Sequence, residues 1–249
     1  MFVLNCDRAY LFAHPERELT TDESARYNTA LAERSRGVPA QYITAHQEFW
    51  GMDLIVTPAV LIPRPETEHL IETVLILQGP KDRIVDVGTG SGAIALALAK
   101  ELPQAEIHAT DISAAAIEVA RANAARHQFE SRIQFHQTDL LDGLTPPFDI
   151  VVSNPPYVGE SEEDHVQLEV RKFEPRSAVF AGPIGTEVIA RLIPQAQARL
   201  RPGGWLLLEV SGTIIDPVRD LLFGWNEVEV TLDLQSIPRV VRARKPLVE

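Results

Sequence analysis

The run Phe148-Asp149-Ile150-Val151-Val152-Ser153 passes directly into Asn154-Pro155-Pro156-Tyr157. The first six residues are mostly β-branched or aromatic and follow Pro146-Pro147, the pattern of a buried strand. Pro155 and Pro156 have no N–H for a sheet ladder and each fixes φ, so the strand must stop there. Left at its carboxyl end are a side-chain amide, two donor-free peptide units and an aromatic ring. Such groups can grip a planar amide or amine while its nitrogen reacts. In open α/β sheets the carboxyl end of a strand is where ligands bind.

A second constellation, Gly88-Thr89-Gly90-Ser91-Gly92-Ala93, lies between a strand at 83–87 and a helix at 93–101. Its glycines let backbone approach a ligand, and the helix N–H groups face it. The spacing fits the G-x-G-x-x-A dinucleotide fingerprint, with Asp111 about 20 residues on to hold ribose hydroxyls. It equally fits the G-x-G-x-G turn with which many methyltransferases hold S-adenosylmethionine. Asp86 favours the second reading, because an acid there would repel a pyrophosphate yet suits a sulfonium or ammonium. Asp139, at the end of a later strand, adds an acid near the expected adenine. The plainer alternative for Asp86 and Asp139 is that of solvated strand-end acids.

These residues need a scaffold, and the chain alternates strand and helix to supply one. Strands are expected at 83–87, 106–110, 132–137, 148–153 and 205–210, with further strands at 227–232 and 239–244. Helices are expected between them, one starting at Ser113 as its cap and others at 164–172, 187–200 and 214–223. A turn is expected at Arg201-Pro202-Gly203-Gly204. The alternation implies an α/β fold, a doubly wound and mostly parallel seven-stranded sheet with helices on both faces. Upstream, residues 1–46 read as a helical segment, with Thr20 or Thr21 as a cap and Leu31 at helical spacing from Tyr27. Residues 47–63 read as a β-hairpin linker, with short strands at 49–51, 54–56 and 60–62, and residues 64–249 as the main domain. Pro65, Glu66 and Glu68 suit the first turn of a helix. Arg64 could bind a carboxylate or pair with Glu68.

The 249 residues are 45% hydrophobic and 23% charged, enough for one sizeable core. No apolar run approaches the ~20 residues that span a bilayer, and the start has neither a basic leader nor a long apolar stretch, so neither a membrane span nor a signal peptide is expected. Cys6 is the single cysteine, which excludes an internal disulfide and fits a reducing, cytoplasmic setting. The histidines do not gather with carboxylates at ligand spacings, so no metal site is expected. A net charge of −12 disfavours direct, specific nucleic-acid binding.

Five motifs stand in order: Phe49-Trp50-Gly51, Leu61-Ile62-Pro63-Arg64-Pro65-Glu66-Thr67-Glu68, Asp86 to Gly92, Ser153 to Tyr157, and Phe173-Glu174-Pro175-Arg176. With them the chain, from about residue 7 to about residue 245, resembles the HemK/PrmC family of peptide chain release factor glutamine methyltransferases. The resemblance implies a class I S-adenosylmethionine-dependent methyltransferase fold. It also implies methylation of the side-chain nitrogen N5 of the glutamine in the Gly-Gly-Gln motif of class 1 release factors. Gly88, Thr89, Gly90, Ser91, Gly92 and Asp111 match the family's cofactor-binding positions, and Asp139 and Leu140 fall at the adenine end. Asn154 matches a residue that touches both methyl donor and substrate, and Asn154, Pro155, Pro156 and Tyr157 match the glutamine clamp. Two features depart from the family's pattern: Leu140 stands where relatives often carry an aromatic, and the N-terminal helical segment is shorter.

A carboxamide nitrogen is a poor nucleophile, and no cysteine or histidine pair offers covalent help. The chemistry is therefore expected to be positioning plus electrostatics. The Asn154 side-chain carbonyl and the Pro155 backbone carbonyl would each accept one amide N–H, and Tyr157 would pack on the flat group. Glu174 and Arg176 could serve function or merely order the loop after the site. The competing readings are an N6-adenine methyltransferase acting on DNA or RNA, an NAD-dependent oxidoreductase, and a binding module that keeps the fold without catalysis.

Overall fold

The computed structural model describes residues 1–233 and 235–247. Its first helices are α1 (Arg8–Ala13), α2 (Thr21–Ser35) and α3 (Ala40–Thr44). Thr20 caps α2 reciprocally: its hydroxyl accepts from the Glu23 N–H, and the Glu23 carboxylate accepts from the Thr20 N–H. Tyr27 and Leu31 share a face as their spacing requires, but both stay about half exposed. Strands β1 (His46–Phe49) and β2 (Met52–Ile55) form an antiparallel hairpin. Its two-residue turn is Trp50-Gly51, both at positive φ, as a tight hairpin demands. The strand expected at 60–62 is absent: Val60 and Ile62 are buried, but the Ile62 N–H donates to the Glu174 carboxylate instead of a ladder.

The main body continues with α4 (Glu68–Ile76), β3 (Arg83–Val87), α5 (Ala93–Glu101), β4 (Glu106–Asp111), α6 (Ala114–Arg126), β5 (Ile133–Gln137) and β6 (Phe148–Ser153). Then come β7 (Val158–Gly159), α7 (Leu168–Phe173), α8 (Arg176–Val179), β8 (Phe180–Gly182), α9 (Glu187–Arg199), β9 (Leu200–Glu209), α10 (Ile215–Leu221), β10 (Asn226–Leu232) and β11 (Pro238–Arg244). Seven strands pair in the order β10-β11-β9-β6-β3-β4-β5, and only β11 runs against the others. The expected doubly wound, mostly parallel sheet is what forms. From β3 the chain winds outward through β4 and β5, then returns to lay β6 on the other side of β3. The crevice between β3 and β6 is thus the point where strand order reverses.

Alternation along the central strands divides the core between the two faces. Ile84, Ile150 and Leu207 join Leu70, Ile71 and Leu96 on one side. Val85, Val151 and Leu208 join Ile189, Leu192 and Val218 on the other. Three expectations need correction. Arg201-Pro202-Gly203-Gly204 is an irregularity inside β9 and not a turn before it: Phe148 pairs with Leu200 and Ile150 already with Trp205, while the Gly203 N–H donates to the Lys245 carbonyl. The helix expected at 164–172 is a 3-10 stretch at Glu160–His165, then extended Val166 and Gln167, then α7. The short parallel pair β7 and β8 was not anticipated.

Asn123, fully buried on α6, ties the hairpin to the glycine turn. Its Oδ1 accepts from the Ile55 N–H (2.7 Å), and its Nδ2 donates to the Ile55 and Ser91 carbonyls (2.9 Å each). Asn123→Ala would strand one buried donor and two acceptors. We expect it to lower unfolding free energy by about 2–4 kcal/mol, read as a shift of the urea midpoint; a midpoint unchanged from wild type would contradict this account.

Candidate active site

The glycine turn leaves β3 with Gly88, Gly90 and Gly92 all at positive φ. The Gly88 and Thr89 N–H groups donate to the Thr110 carbonyl, and the Gly90 N–H donates to Asp111 Oδ2 at 2.9 Å. The turn is thereby clamped onto the end of β4. A Cβ added at Gly90 would meet no atom within 4 Å, whereas one at Gly92 would lie 2.8 Å from Leu96 Cδ1. Gly90 therefore borders open space, and Gly92 lets α5 begin against α6. The open space is a cavity of about 360 Å³ lined by residues 88–91, Asp111, Ile112, Asp139, Leu140 and Asn154.

The three acids behave differently. Asp86 is fully buried beneath the turn and does not line the cavity, so neither the ligand-facing nor the solvated reading holds. Its Oδ2 accepts from the Thr89 hydroxyl (2.6 Å) and the Ala95 N–H (3.2 Å), and its Oδ1 has no partner. Burial pushes its pKa up to about 7 against the pull of those hydrogen bonds. Asp111 does line the cavity; burial also raises it, opposed by the Ser113, Gly90 and Ile112 N–H groups. Asp139 lines it too, but pairs with Arg191 of α9. Leu140 follows at φ +52, placed on the same wall.

A second cavity, about 440 Å³, opens on the other side of the Asn154 tetrapeptide. Pro155, Tyr157, Arg64, Glu66, Glu209 and Arg239 line it, and Asn154 and Pro156 line both cavities. The Asn154 Nδ2 donates to Thr67 Oγ1 at 3.1 Å. Among the described residues, nothing donates to its Oδ1 or to the Pro155 carbonyl. Burial and the nearby Glu209 hold the Tyr157 phenol well above its usual range, so it stays neutral.

Other placements differ from expectation. Arg64 pairs with Glu174, not with Glu68; Glu68 instead accepts from the Trp50 N–H at the hairpin turn. Glu174 is buried and bridges Arg64 to the Ile62 N–H, which orders the chain leading into the site. Arg176 forms a two-point pair with Glu163 at the surface. Thr67, Glu209, Arg191 and Arg239 had drawn no attention as site residues. Glu209 ends a strand as Asp111 does, so the same strand-end rule would have found it. Thr67 lay inside a stretch read as a helix start and as one of the five ordered motifs, but with no site role for its hydroxyl.

Comparison with known proteins places these features in a family. The model of the Methyltransferase small domain matches residues 66–172, and that of the PrmC N-terminal domain matches residues 1–44. A release factor glutamine methyltransferase of Koribacter versatilis is 56% identical, over 99% of this chain and 89% of its own length. Among solved structures, the hMettl16 catalytic domain with an RNA hairpin has a TM-score of 0.64 at 17% identity, covering 98% of this chain and 94% of that one. A Thermus thermophilus 16S rRNA N2 methyltransferase solved with AdoMet and guanosine has a TM-score of 0.60 at 22% identity, covering 80% and 49%. The two structural likenesses speak to fold alone.

The buried Asp86 makes a pH-dependent contribution to stability. Its folded pKa lies above the unfolded value, so its contribution is fully present below the unfolded pKa and is lost as pH rises towards about 7. Buried His108 and half-buried His136, both depressed by desolvation, act in the opposite sense. The comparison is therefore between two proteins. We expect the stability of Asp86→Asn relative to wild type to improve by about 1 kcal/mol per pH unit between about pH 5 and 7. Urea unfolding checks this, and a pH-independent difference would refute it.

Proposed function

The chain belongs to the family of release factor glutamine methyltransferases, and we propose that Asn154, Pro155 and Tyr157 are the groups with which it positions a glutamine for methylation. The reaction transfers a methyl group from S-adenosylmethionine to the side-chain amide nitrogen N5 of the Gly-Gly-Gln glutamine in class 1 peptide chain release factors. The observation that carries the site assignment is that Asn154 and Pro156, together with Leu61 and Ala178, line both cavities and so form the wall between them. One reactant lies on each side of that wall, and the tetrapeptide is where they meet.

The residues of the first cavity fit S-adenosylmethionine. Gly90 leaves space for close backbone approach, Asp111 offers acceptors for ribose hydroxyls, and Leu140 gives an apolar surface for the adenine. The carboxylate of Asp111, which lines this cavity and whose pKa is raised by burial, favours the arrival of positive charge. When bound, S-adenosylmethionine supplies an electrophilic methyl group on a positively charged sulfur.

The chain's own residues prepare the other reactant. The free Asn154 Oδ1 and the Pro155 carbonyl accept the two N–H bonds of the glutamine amide, turning its nitrogen toward the first cavity. Both acceptors stabilise the positive charge that grows on that nitrogen. Neutral Tyr157 packs on the amide and does not act as a base. Asn154 can accept in this way because its own N–H is already committed to Thr67. Gly88, Thr89, Ser91, Gly92 and Asp139 complete the proposed cofactor site, and Pro156 the substrate clamp.

No helix among the described residues is long and apolar enough to cross a membrane. Release factors as protein partners, a cytoplasmic setting and no direct specific nucleic-acid binding complete the reading. So does a division into residues 1–46, 47–63 and 64–249.

Incubation with a class 1 release factor and S-adenosylmethionine is expected to add one methyl group to the Gly-Gly-Gln glutamine, seen by peptide mass spectrometry. An unmodified peptide, or methyl transfer to adenine in DNA or RNA instead, would overturn the assignment. Asn154→Ala should lower kcat by about 100-fold or more at saturating cofactor, and Tyr157→Phe by much less. Wild-type turnover by Asn154→Ala would sink the clamp.

A further inference from the structure

Glu209 ends β9 with only 2% of its surface exposed. By strand alternation it lies on the same face as Leu207, the face that carries α4 and the segment before it. There it lines the second cavity beside Arg64, Glu66, Tyr157 and Arg239. Its Oε2 has no hydrogen-bond partner. The two cations of that wall are engaged elsewhere, Arg64 with Glu174 and Arg239 with Asp233. Glu66, on the same wall, forms no ion pair among the described residues either. The cavity thus presents two uncommitted carboxylates, one of them buried, and it suits a ligand that brings donors. A buried acceptor without a partner is costly to the fold, so a partner that arrives with the substrate accounts for it.

The glutamine amide spends both its N–H bonds on Asn154 and Pro155, so the donors for Glu209 come from elsewhere in the substrate. At about 440 Å³ the cavity falls in the ~300–1,000 Å³ range that holds whole small molecules, which leaves room for backbone beside one glutamine side chain. The residues before that glutamine are two glycines. Lacking a Cβ, they bring their backbone closer to a buried group than other residues can. Successive N–H groups in a turn can also converge on one anion. We propose that Glu209 is a specificity residue: its carboxylate accepts the backbone N–H groups of the Gly-Gly pair, and so reads the absence of side chains beside the glutamine. This contact lies away from the reacting nitrogen and is the same in the ground state and the transition state. It therefore contributes to substrate affinity and not to kcat.

The inference rests on the glutamine-methylation reading and deepens it. Glu209→Gln keeps the shape of the side chain but replaces one acceptor oxygen with a donor. In steady-state methylation of a class 1 release factor it should raise KM by about 10- to 100-fold and leave kcat within about threefold of wild type. Its affinity for S-adenosylmethionine, measured by calorimetry, should stay at the wild-type level, which also shows the variant folded. Binding of the unmethylated release factor, with S-adenosylhomocysteine present so that no turnover occurs, completes a double-mutant cycle. Replacing either motif glycine by alanine should weaken binding to wild type, and should weaken binding to Glu209→Gln by at least about threefold less. Fully multiplicative losses, a wild-type KM in Glu209→Gln, a loss confined to kcat or a loss of cofactor affinity would each overturn the contact and leave the function standing. A wild-type protein inactive on release factors would overturn the functional reading, and the contact with it.

Discussion

The site depends on the pairing of β3 with β6. Val87 sits opposite Ser153 in this parallel ladder, and the Ser153 hydroxyl donates to the Val87 carbonyl at 2.6 Å. The next residues on the two strands are Gly88 and Asn154. The register therefore sets the start of the glycine turn beside the start of the clamp, at the point where strand order reverses. A slip of one residue would send every β6 side chain to the opposite face. It would expose Ile150 and Val152 to the wrong core and turn Asn154 away from the cavity wall. The apolar alternation that builds the two cores is thus also what aligns the two halves of the site.

Around that pairing the protein accumulates acids that are costly to bury. Asp86 under the turn, Asp111 at the end of β4 and Glu209 at the end of β9 all have raised pKa values, and desolvation is the first cause in each. None forms an ion pair among the described residues. Packing and hydrogen bonds elsewhere must offset this cost, since an ionised and unpaired buried carboxylate opposes folding. Of the three, only Asp111 lines the first cavity, so a cationic methyl donor bound there would relieve part of the cost of that carboxylate alone. Asp139, paired with Arg191 at a more exposed edge, carries no such strain.

How much of this could be read from residue order follows from the range of the interactions. The doubly wound, mostly parallel character of the sheet was legible because alternating strands and helices have few ways to pack, and the strand-ending prolines and glycine turn are local signals. The family was legible from motifs in order. Partnerships across the sequence were not. Arg64 and Glu174 are separated by 110 residues, and Asn123 and Ile55 by 68. Nothing in either local stretch names its partner. Residues 60–62 show the same limit in reverse: their apolar content suggested a strand, but the N–H of Ile62 was claimed by a distant carboxylate. Asp86 was misread because strand-end position does not tell whether a side chain points above the turn or beneath it.

The nature of the proposed clamp explains why the surrounding acids would have to be kept off the reacting nitrogen. A carboxylate in direct contact would bind the amide well in its ground state, and binding reactant and transition state equally well does not raise kcat. A neutral carbonyl acceptor gains more as positive charge grows on the nitrogen, because its dipole is already oriented and costs no reorganisation. In the proposed clamp the acceptors would be the neutral Asn154 Oδ1 and Pro155 carbonyl, and the Asn154 amide nitrogen donates to the Thr67 hydroxyl and not to a carboxylate. Two consecutive prolines assist for a simple reason: lacking N–H groups, they place no backbone donor that could compete for Oδ1 or oppose the amide protons of the substrate. The sequence feature that ends the strand is therefore also the one that would keep the proposed clamp purely an acceptor.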